Sequence, residues 1–237
     1  MKKLKAIISK ITDHGQGVYS LSIAPEGRVP HFKAGQFLHL AIDDYDPAGG
    51  FWPESRVFSI CSAPGDDELV VLYSVKGAFT KRMEKHLVVG SVVWVKLPFG
   101  DFVIDPEFNS SLVLVAGGTG ISPFISFLHG LGLHKKSDCK VSVFYGVRWA
   151  EQLIFSDLIN ELTKANPLVT SSIYVEENSG PENIQGKISD RDVVVAAKET
   201  QNTQTYLSGP PAMIQFFKKN LLEHGILSGQ IHIDEWE

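Results

Sequence analysis

Residues 115–125 read Val-Ala-Gly-Gly-Thr-Gly-Ile-Ser-Pro-Phe-Ile. Four apolar residues, Leu112 to Val115, run into Gly117, Gly118, Thr119 and Gly120, and Ile121-Ser122-Pro123 then opens an apolar segment with helical spacing. The order is strand, glycine turn, helix start. Glycine lets a backbone take positive φ and approach a ligand closely. A helix N-terminus offers unpaired N–H groups and positive potential to a phosphate. Pro123 suits a first helical turn, where its missing N–H has no helical partner. Two readings stand for this segment alone: a pyrophosphate cradle, or a tight turn of any α/β protein. The spacing is not GxGxxG, and the lysine of a Walker A loop is absent.

Outward from this stretch the chain has two grammars. Up to about Phe102, apolar runs (Leu4–Ile11, Val18–Ile23, Phe37–Ile42, Arg56–Cys61, Leu69–Val75 and Ser91–Leu97) are punctuated by Pro, Gly and Asp. Short strands at this spacing predict an antiparallel β-barrel, with one short helix near Phe79–His86. Beyond the polar turn Asp105–Ser111, strands (Leu112–Ala116, Val141–Tyr145, Thr170–Val175, Thr205–Leu207 and Gln230–Ile233) alternate with helices (Pro123–His134, Trp149–Lys164, Asp190–Lys198 and Pro210–His224). That alternation predicts a doubly wound parallel α/β sheet. The boundary is expected within 103–111, giving domains 1–104 and 105–237. Asp43–Glu54 is a long Gly/Pro/Asp-rich loop, and loops of that length are often functional.

Composition narrows the function. The chain has 237 residues, 43% hydrophobic and 21% charged, with net charge −5. A mild acidic balance gives no electrostatic footprint for nucleic acid. No run approaches the ~18 apolar residues of a membrane span, and the apolar part of the basic start MKKLKAIISK is too short for a signal-peptide core. Two cysteines, Cys61 and Cys139, cannot supply a four-thiolate iron–sulfur or zinc site. A reduced, cytoplasmic setting is expected. The histidines show no metal spacing, so no metal site is expected.

A barrel followed by a dinucleotide-type half suggests two ligands meeting at a domain cleft. The second informative segment is Arg56-Val57-Phe58-Ser59-Ile60-Cys61. Strand alternation points Arg56, Phe58 and Ile60 one way and Val57, Ser59 and Cys61 the other. Taken alone, it also reads as an ordinary strand with a snorkelling arginine and a core phenylalanine.

Together these segments resemble the ferredoxin–NADP reductase superfamily of flavoprotein oxidoreductases over nearly the whole chain. Phe32-Lys33-Ala34-Gly35-Gln36-Phe37 is similar to its pGQf strand, and Arg56-Val57-Phe58-Ser59 to its R-x-Y-S flavin motif. Pro98-Phe99-Gly100-Asp101-Phe102 resembles its interdomain P-x-G-x-F turn. Gly117–Pro123 resembles its nucleotide loop, Tyr145-Gly146-Val147-Arg148 its Y-G-x-R, and Ser208-Gly209-Pro210-Pro211-Ala212-Met213 its C-G-P-P-x-M.

The resemblance implies roles. Arg56 would bind a flavin phosphate, where a guanidinium suits the anion. Phe58 would pack on the ring or ribityl chain, and Ser59 would bond flavin N5. Backbone groups around Val57, Ser59 and Ile60 would bond the ring edge. Lys76, Gly77 and Thr80 occupy the position of a phosphate turn at a helix start. Gly118, Thr119 and Gly120 would hold the nicotinamide nucleotide, with Arg148 near its phosphate or ribose. Gly209 and Pro210 would shape the last turn beside the nicotinamide. Trp236 would be the terminal aromatic that covers the flavin, with Asp234 or Glu235 relaying protons near Ser59. Ser208 replaces the family's cysteine near the nicotinamide, and Phe58 replaces its commoner tyrosine.

The implied cofactor is FAD in preference to FMN. NAD(P)H is the implied substrate. Glu176 and Glu177 after the Thr170–Val175 strand favour NADH, since acid repels a 2′-phosphate and accepts a bond from a free 2′-OH. Electrons would pass to a ferredoxin, a flavodoxin, an oxygenase component or another small carrier. Lys76, Lys81, Arg82 and Lys85 form either a docking patch for an acidic carrier or a solvated helix face. Rival readings are a reductase of diffusible flavin, an electron-transfer subunit that needs a partner, and a non-redox nucleotide-binding module.

Overall fold

The structure, a computed structural model, describes residues 1–105, 110–133 and 140–234. Two compact units emerge, one of Met1–Ile104 with Ser122–Phe127, the other of Asp105–Ile121 with Leu128–Glu237.

In the first unit, strands Lys2–Asp13 (β1), Val18–Pro25 (β2), Phe37–Ala41 (β3), Ser55–Ser59 (β4) and Leu69–Ser74 (β5) precede helix Ala78–His86 (α1) and strand Val92–Phe99 (β6). They form one antiparallel sheet in the order β4-β3-β6-β1-β2-β5. Its two edges meet at the Ile60–Val71 bridge and the Cys61 N–H to Val70 carbonyl bond (2.7 Å). Joining the edges nearly closes the barrel and removes exposed strand ends that would otherwise pair with other chains. Alternate residues fill the interior, among them Leu21, Leu38, Leu40, Ile60, Val71 and Val95. The β3–β6 ladder slips one residue across Pro98, between the pairs His39–Lys96 and Phe37–Phe99. A proline has no N–H to give the ladder, so it sits at such a bulge. The bulge lies beside the end of β4, where Phe37 also pairs with Ser59.

In the second unit, strand Leu112–Gly117 (β7) leads through a 3-10 turn, Gly118–Ile121, to helix Ser122–Leu133 (α2), whose first residues, Ser122–Phe127, are counted with the first unit. There follow Val141–Trp149 (β8), Ser156–Ala165 (α3), Val169–Glu177 (β9), Ile184–Gln185 (β10), Asp190–Ala197 (α4), Gln204–Ser208 (β11), Pro211–Glu223 (α5) and Ile231–Ile233 (β12). All pairs are parallel, in the order β10-β9-β8-β7-β11-β12. Central β7 is buried along its whole length, as a strand covered on both faces must be. The chain moves outward from β7 to β10, then returns to the other side of β7. With right-handed crossovers this places helices on both faces. The antiparallel barrel followed by a doubly wound parallel sheet is the architecture predicted.

Two details differ from the predicted elements. The helix expected from Trp149 begins at Ser156, because Trp149 still pairs with Glu177 and Phe155 takes left-handed φ (+63°). Strand β10, two residues long, is too short to show a period. His134, the expected last residue of the α2 stretch, and Cys139 lie outside the described residues.

Candidate functional site

The barrel site is built on β4. Ser59 and Val57 pair with Phe37 and His39, so these four share one face. Phe37 and Phe99 stack at 5.7 Å, and His39 stands edge-on to Phe99 at 4.6 Å. This partly exposed aromatic group stands beside Ser59; Phe37 and Phe99 lie in the pGQf and P-x-G-x-F stretches, whereas His39 carried no motif in the sequence. Burial and the nearby Lys96 ammonium lower the His39 pKa, so the ring is neutral at pH 7. Ser59 is 5% exposed, and its hydroxyl bonds no described residue. Phe58 faces the other way, into the barrel core, with its ring 6.2 Å from Tyr73. It supports the strand from beneath and is not an open platform. Ile60 is fully buried, and its N–H donates to the Gln36 carbonyl (3.0 Å). The Gln36 side chain accepts from the Lys33 N–H (2.9 Å) and donates to the Gly100 carbonyl (3.0 Å). The pGQf residues therefore brace the end of β4 against the Pro98–Phe102 turn.

Arg56 is exposed at the start of β4. Its guanidinium lies 5.2 Å above the Phe79 ring, in the first turn of α1. That turn has no acidic residue. Its first N–H groups lack helical partners and carry the positive end of the helix dipole. The Thr80 hydroxyl accepts from the Lys76 and Gly77 N–H groups (3.0 and 3.1 Å) and donates to the Gly77 carbonyl (3.2 Å). Thr80 thus shapes the turn itself, while a Cβ on Gly77 would meet open space. An arginine over a helix N-terminus is a donor set for phosphate. Arg56 meanwhile bonds Glu54 (2.9 Å) and the Ser55 carbonyl (2.9 Å). An exposed pair of this kind contributes about 0–1 kcal/mol, so a phosphate can displace Glu54. Arg82, counted in the expected basic patch, is already paired with Asp43 (2.5 Å) and Glu54 (3.1 Å).

The sheet site lies where the β7 and β11 loops leave the strands' carboxyl ends. This is the switch point of the sheet, where open α/β proteins bind ligands. The two loops pack backbone to backbone. A Cβ on Gly120 would run into the Ser208 carbonyl and the Gly209 Cα (2.6 Å), and one on Gly209 (φ +148°) would reach the Gly117 nitrogen (2.9 Å). By contrast, Gly118 has φ +55° and open space where a Cβ would lie. Thr119 is half-buried between these glycines and Pro210 is exposed.

Behind the loop, Ser208 is fully buried and its hydroxyl donates to Asp234 Oδ2 (2.9 Å). The Asp234 N–H donates to the Leu207 carbonyl (2.9 Å). A buried carboxylate needs such partners. At the ends of β8 and β9, Arg148 Nε bonds Glu177 Oε1 (2.9 Å) and the guanidinium lies 4.4 Å over Trp149. The arginine holds the Glu177 carboxyl below the usual carboxylate range. Glu235 and Trp236 lie outside the described residues. Cys61 is buried, which pushes its thiol up to about 12 and leaves it unreactive.

Residues 114–219 match the family described as the oxidoreductase NAD-binding domain. Over 258 aligned residues the chain is 30% identical to oxidoreductase NAD-binding domain-containing protein 1 of Xenopus tropicalis, covering 98% of this chain and 78% of that protein. The chain belongs to the oxidoreductase NAD-binding domain family. Its fold is that of the ferredoxin–NADP reductase-like proteins, and the family is one of NAD(P)H-dependent oxidoreductases. A second family relative, the reductase component of propane 2-monooxygenase from Rhodococcus jostii, is 26% identical over all of this chain and 64% of its own length. A ferredoxin NADP+ reductase from Neisseria gonorrhoeae, solved with FAD and NADP, shares the fold at TM-score 0.81 and 21% identity. That match covers 99% of this chain and 98% of the other.

The residues present fit both groups that this oxidoreductase family implies. The Arg56–α1 turn suits a flavin phosphate, and the Gly117–Gly120 and Ser208–Pro210 loops leave backbone open to a nucleotide. Among the described residues, no cluster of His, Cys, Asp or Glu could hold a metal ion, and no helix is long and apolar enough to cross a membrane.

Proposed function

We propose that the chain is a reductase that oxidises NADH on bound FAD and delivers electrons to a separate redox protein or oxygenase component. When bound, the flavin supplies the exchange between two-electron and one-electron chemistry. The protein's own residues supply position and charge. Residues 1–104 are the flavin-binding domain and 105–237 the nucleotide-binding domain.

Arg56 and the first turn of α1 hold the flavin phosphates, with Thr80 keeping Lys76 and Gly77 in the turn. Ser59 presents a hydroxyl free to bond the ring, and Val57 and Ile60 keep its strand in place. Phe58 packs under that strand. In the sheet, Gly118, Thr119, Gly120, Gly209 and Pro210 cradle the nicotinamide nucleotide. Ser208 acts as a positioning residue that holds the Asp234 carboxylate. Trp236 is retained as the candidate cover for the flavin. Glu177 neutralises Arg148 and disfavours a 2′-phosphate, which supports NADH over NADPH. The likeness to an oxygenase reductase component supports a protein acceptor.

The observation that carries this reading is the Arg56 guanidinium 5.2 Å over Phe79 at the start of α1. An absorption spectrum of the purified protein tests it. A flavin spectrum that bleaches anaerobically with NADH, and more slowly with NADPH, is expected. A colourless protein that takes up no added flavin would overturn the reading.

A second reading, a reductase of diffusible flavin, is favoured by Phe58, which has no phenol and is sunk in the core. Loss of the yellow colour on gel filtration, with activity restored by free flavin, would select it.

A further inference from the structure

The outer face of β1 and β6 carries an unpartnered apolar patch. Ile7 pairs with Val92 across the ladder, so the two side chains stand together on the outside of the barrel, 42% and 44% exposed. The α1–β6 turn adds two more: Val88 and Val89 are each 63% exposed. This turn is braced, with the Val88 N–H donating to Ser91 Oγ and the Ser91 N–H to the Val88 carbonyl (both 2.9 Å). It is also tied to β1, where the Gly90 N–H donates to the Ile8 carbonyl (2.8 Å) and the Ile8 N–H to the Ser91 carbonyl (2.9 Å). Two valines held in water by a fixed turn, beside a third valine and an isoleucine, forgo apolar burial. Apolar side chains gathered at a surface in this way mark an interaction site.

The charge around the patch decides what covers it. Lys3, Lys5 and Lys10 lie on β1, and Lys85 stands in the last turn of α1, just before the valines. Residues 1–12 and 85–99 hold no Asp or Glu, although the whole chain has net charge −5. Of the carboxylates nearby, Glu26 pairs with Lys5 (3.2 Å) and Glu84 accepts from the Tyr19 hydroxyl (3.1 Å). Two copies joined through this face would set lysine against lysine, since a two-fold contact uses the same patch twice. An electron carrier is disfavoured by distance. Val92 and Phe99 are seven residues apart on β6, about 23 Å at strand rise, and Phe99 is at the end that stands beside Ser59. Hot spots of protein interfaces are enriched in Trp, Tyr and Arg, and their cores are poor in Lys. Here the exposed tips are Val and Ile, and the cations nearest them are lysines. That composition suits an anionic lipid surface, where aliphatic tips enter the acyl boundary and lysines meet the headgroups.

We propose that the β1–β6 face docks the protein reversibly on an anionic lipid surface, with Val88 and Val89 as the inserted tip and the lysines on the headgroups. The test is co-flotation of the full chain with vesicles of phosphatidylcholine alone and of phosphatidylcholine mixed with phosphatidylserine. Binding to the mixed vesicles and not to the neutral ones is expected. Val88→Ser combined with Val89→Ser should weaken it about tenfold or more, the scale of two partly buried aliphatic side chains. Lys85→Gln should weaken it about fivefold, the scale of one cation at a charged leaflet. These side chains are exposed, so the thermal midpoint of each variant should match the parent. No binding to the mixed vesicles, or binding that the serine pair leaves unchanged, would overturn the proposal. Binding to soluble poly-glutamate that the serine pair leaves unchanged, in place of vesicle binding, would assign the face to an acidic protein. A dimer in sedimentation that the serine pair dissociates would assign it to a second copy, and either result overturns the lipid reading.

Discussion

The two candidate sites make their contacts by different means. The barrel site is made of side chains: Arg56 reaches over Phe79, Ser59 offers a hydroxyl, and Gln36 and Thr80 brace the turns around them. The sheet site is made of backbone, two loops so close that Gly120 and Gly209 have no room for a Cβ. A side-chain site is separable from folding where its donor is exposed and weakly paired, as Arg56 is. A backbone site is not, because the packing that shapes it also joins β7 to β11. The first should lose affinity without losing stability, and the second should lose both.

The largest effect is expected at Gly120. Gly120→Ala drives a Cβ into the Ser208 carbonyl and the Gly209 Cα, and overpacking of this kind costs about 1–3 kcal/mol. The melting temperature should fall, and KM for NADH should rise about tenfold or more as the loops part. Gly225→Ala is the control: outside the cradle, it has φ +84° and open space where a Cβ would lie, and it incurs only the left-handed penalty of about 1–2 kcal/mol. Similar KM values for the two variants would break the contrast.

Arg56→Ala is the next test. Losing a charge-assisted bond of about 1.5–3 kcal/mol should weaken flavin binding roughly 10- to 100-fold. Stability of the flavin-free protein should change by no more than about 0.5 kcal/mol, since the side chain is exposed. An equal fall in the melting temperature of the flavin-free protein would show Arg56 to be a structural residue and end the distinction between the two sites.

These sites were unequally legible. A backbone site writes itself locally: Gly117 to Gly120, and Ser208-Gly209, must be small or left-handed where they stand, so a short window suffices. A side-chain site is assembled from distant strands. Nothing near Arg56 announces that Phe79 will lie beneath it, or that Gln36 will tie Ile60 to Gly100. Alternation correctly put Arg56 and Phe58 on one face. It could not tell that this face enters the core at Phe58, because only barrel closure decides that. The aromatic group of Phe37, His39 and Phe99 needed the register shift at Pro98, which no period reveals. The α3 start was missed for a local reason, the left-handed Phe155. A β-branched or aromatic residue rarely takes that conformation, so the residue type points away from it.

The smallest effect, and the finest probe of the backbone site, concerns the rim where side chains return. Arg148 lies on Trp149 and bonds Glu177, so a 2′-phosphate meets a cation that is already neutralised, beside a carboxylate that repels it. Glu177→Gln removes the repulsion and leaves Arg148 on its indole. The ratio of kcat/KM for NADPH to that for NADH should rise about fivefold, the scale of one exposed ion pair. Arg148→Ala in the same background should abolish the gain. The pH dependence carries the same signature. Because Arg148 depresses the Glu177 pKa, the carboxylate stays charged throughout the neutral range. Its pairing is lost only as pH falls through a value below 4.5. The parent's coenzyme ratio should therefore not change through any ionisation of Glu177 between pH 6 and 8, where the 2′-phosphate itself titrates near 6 as phosphate esters do. Any slope there belongs to the substrate. A slope that persists with NADH alone, which has no 2′-phosphate, would mean that another group governs this rim and that the Glu177–Arg148 pair does not set the preference.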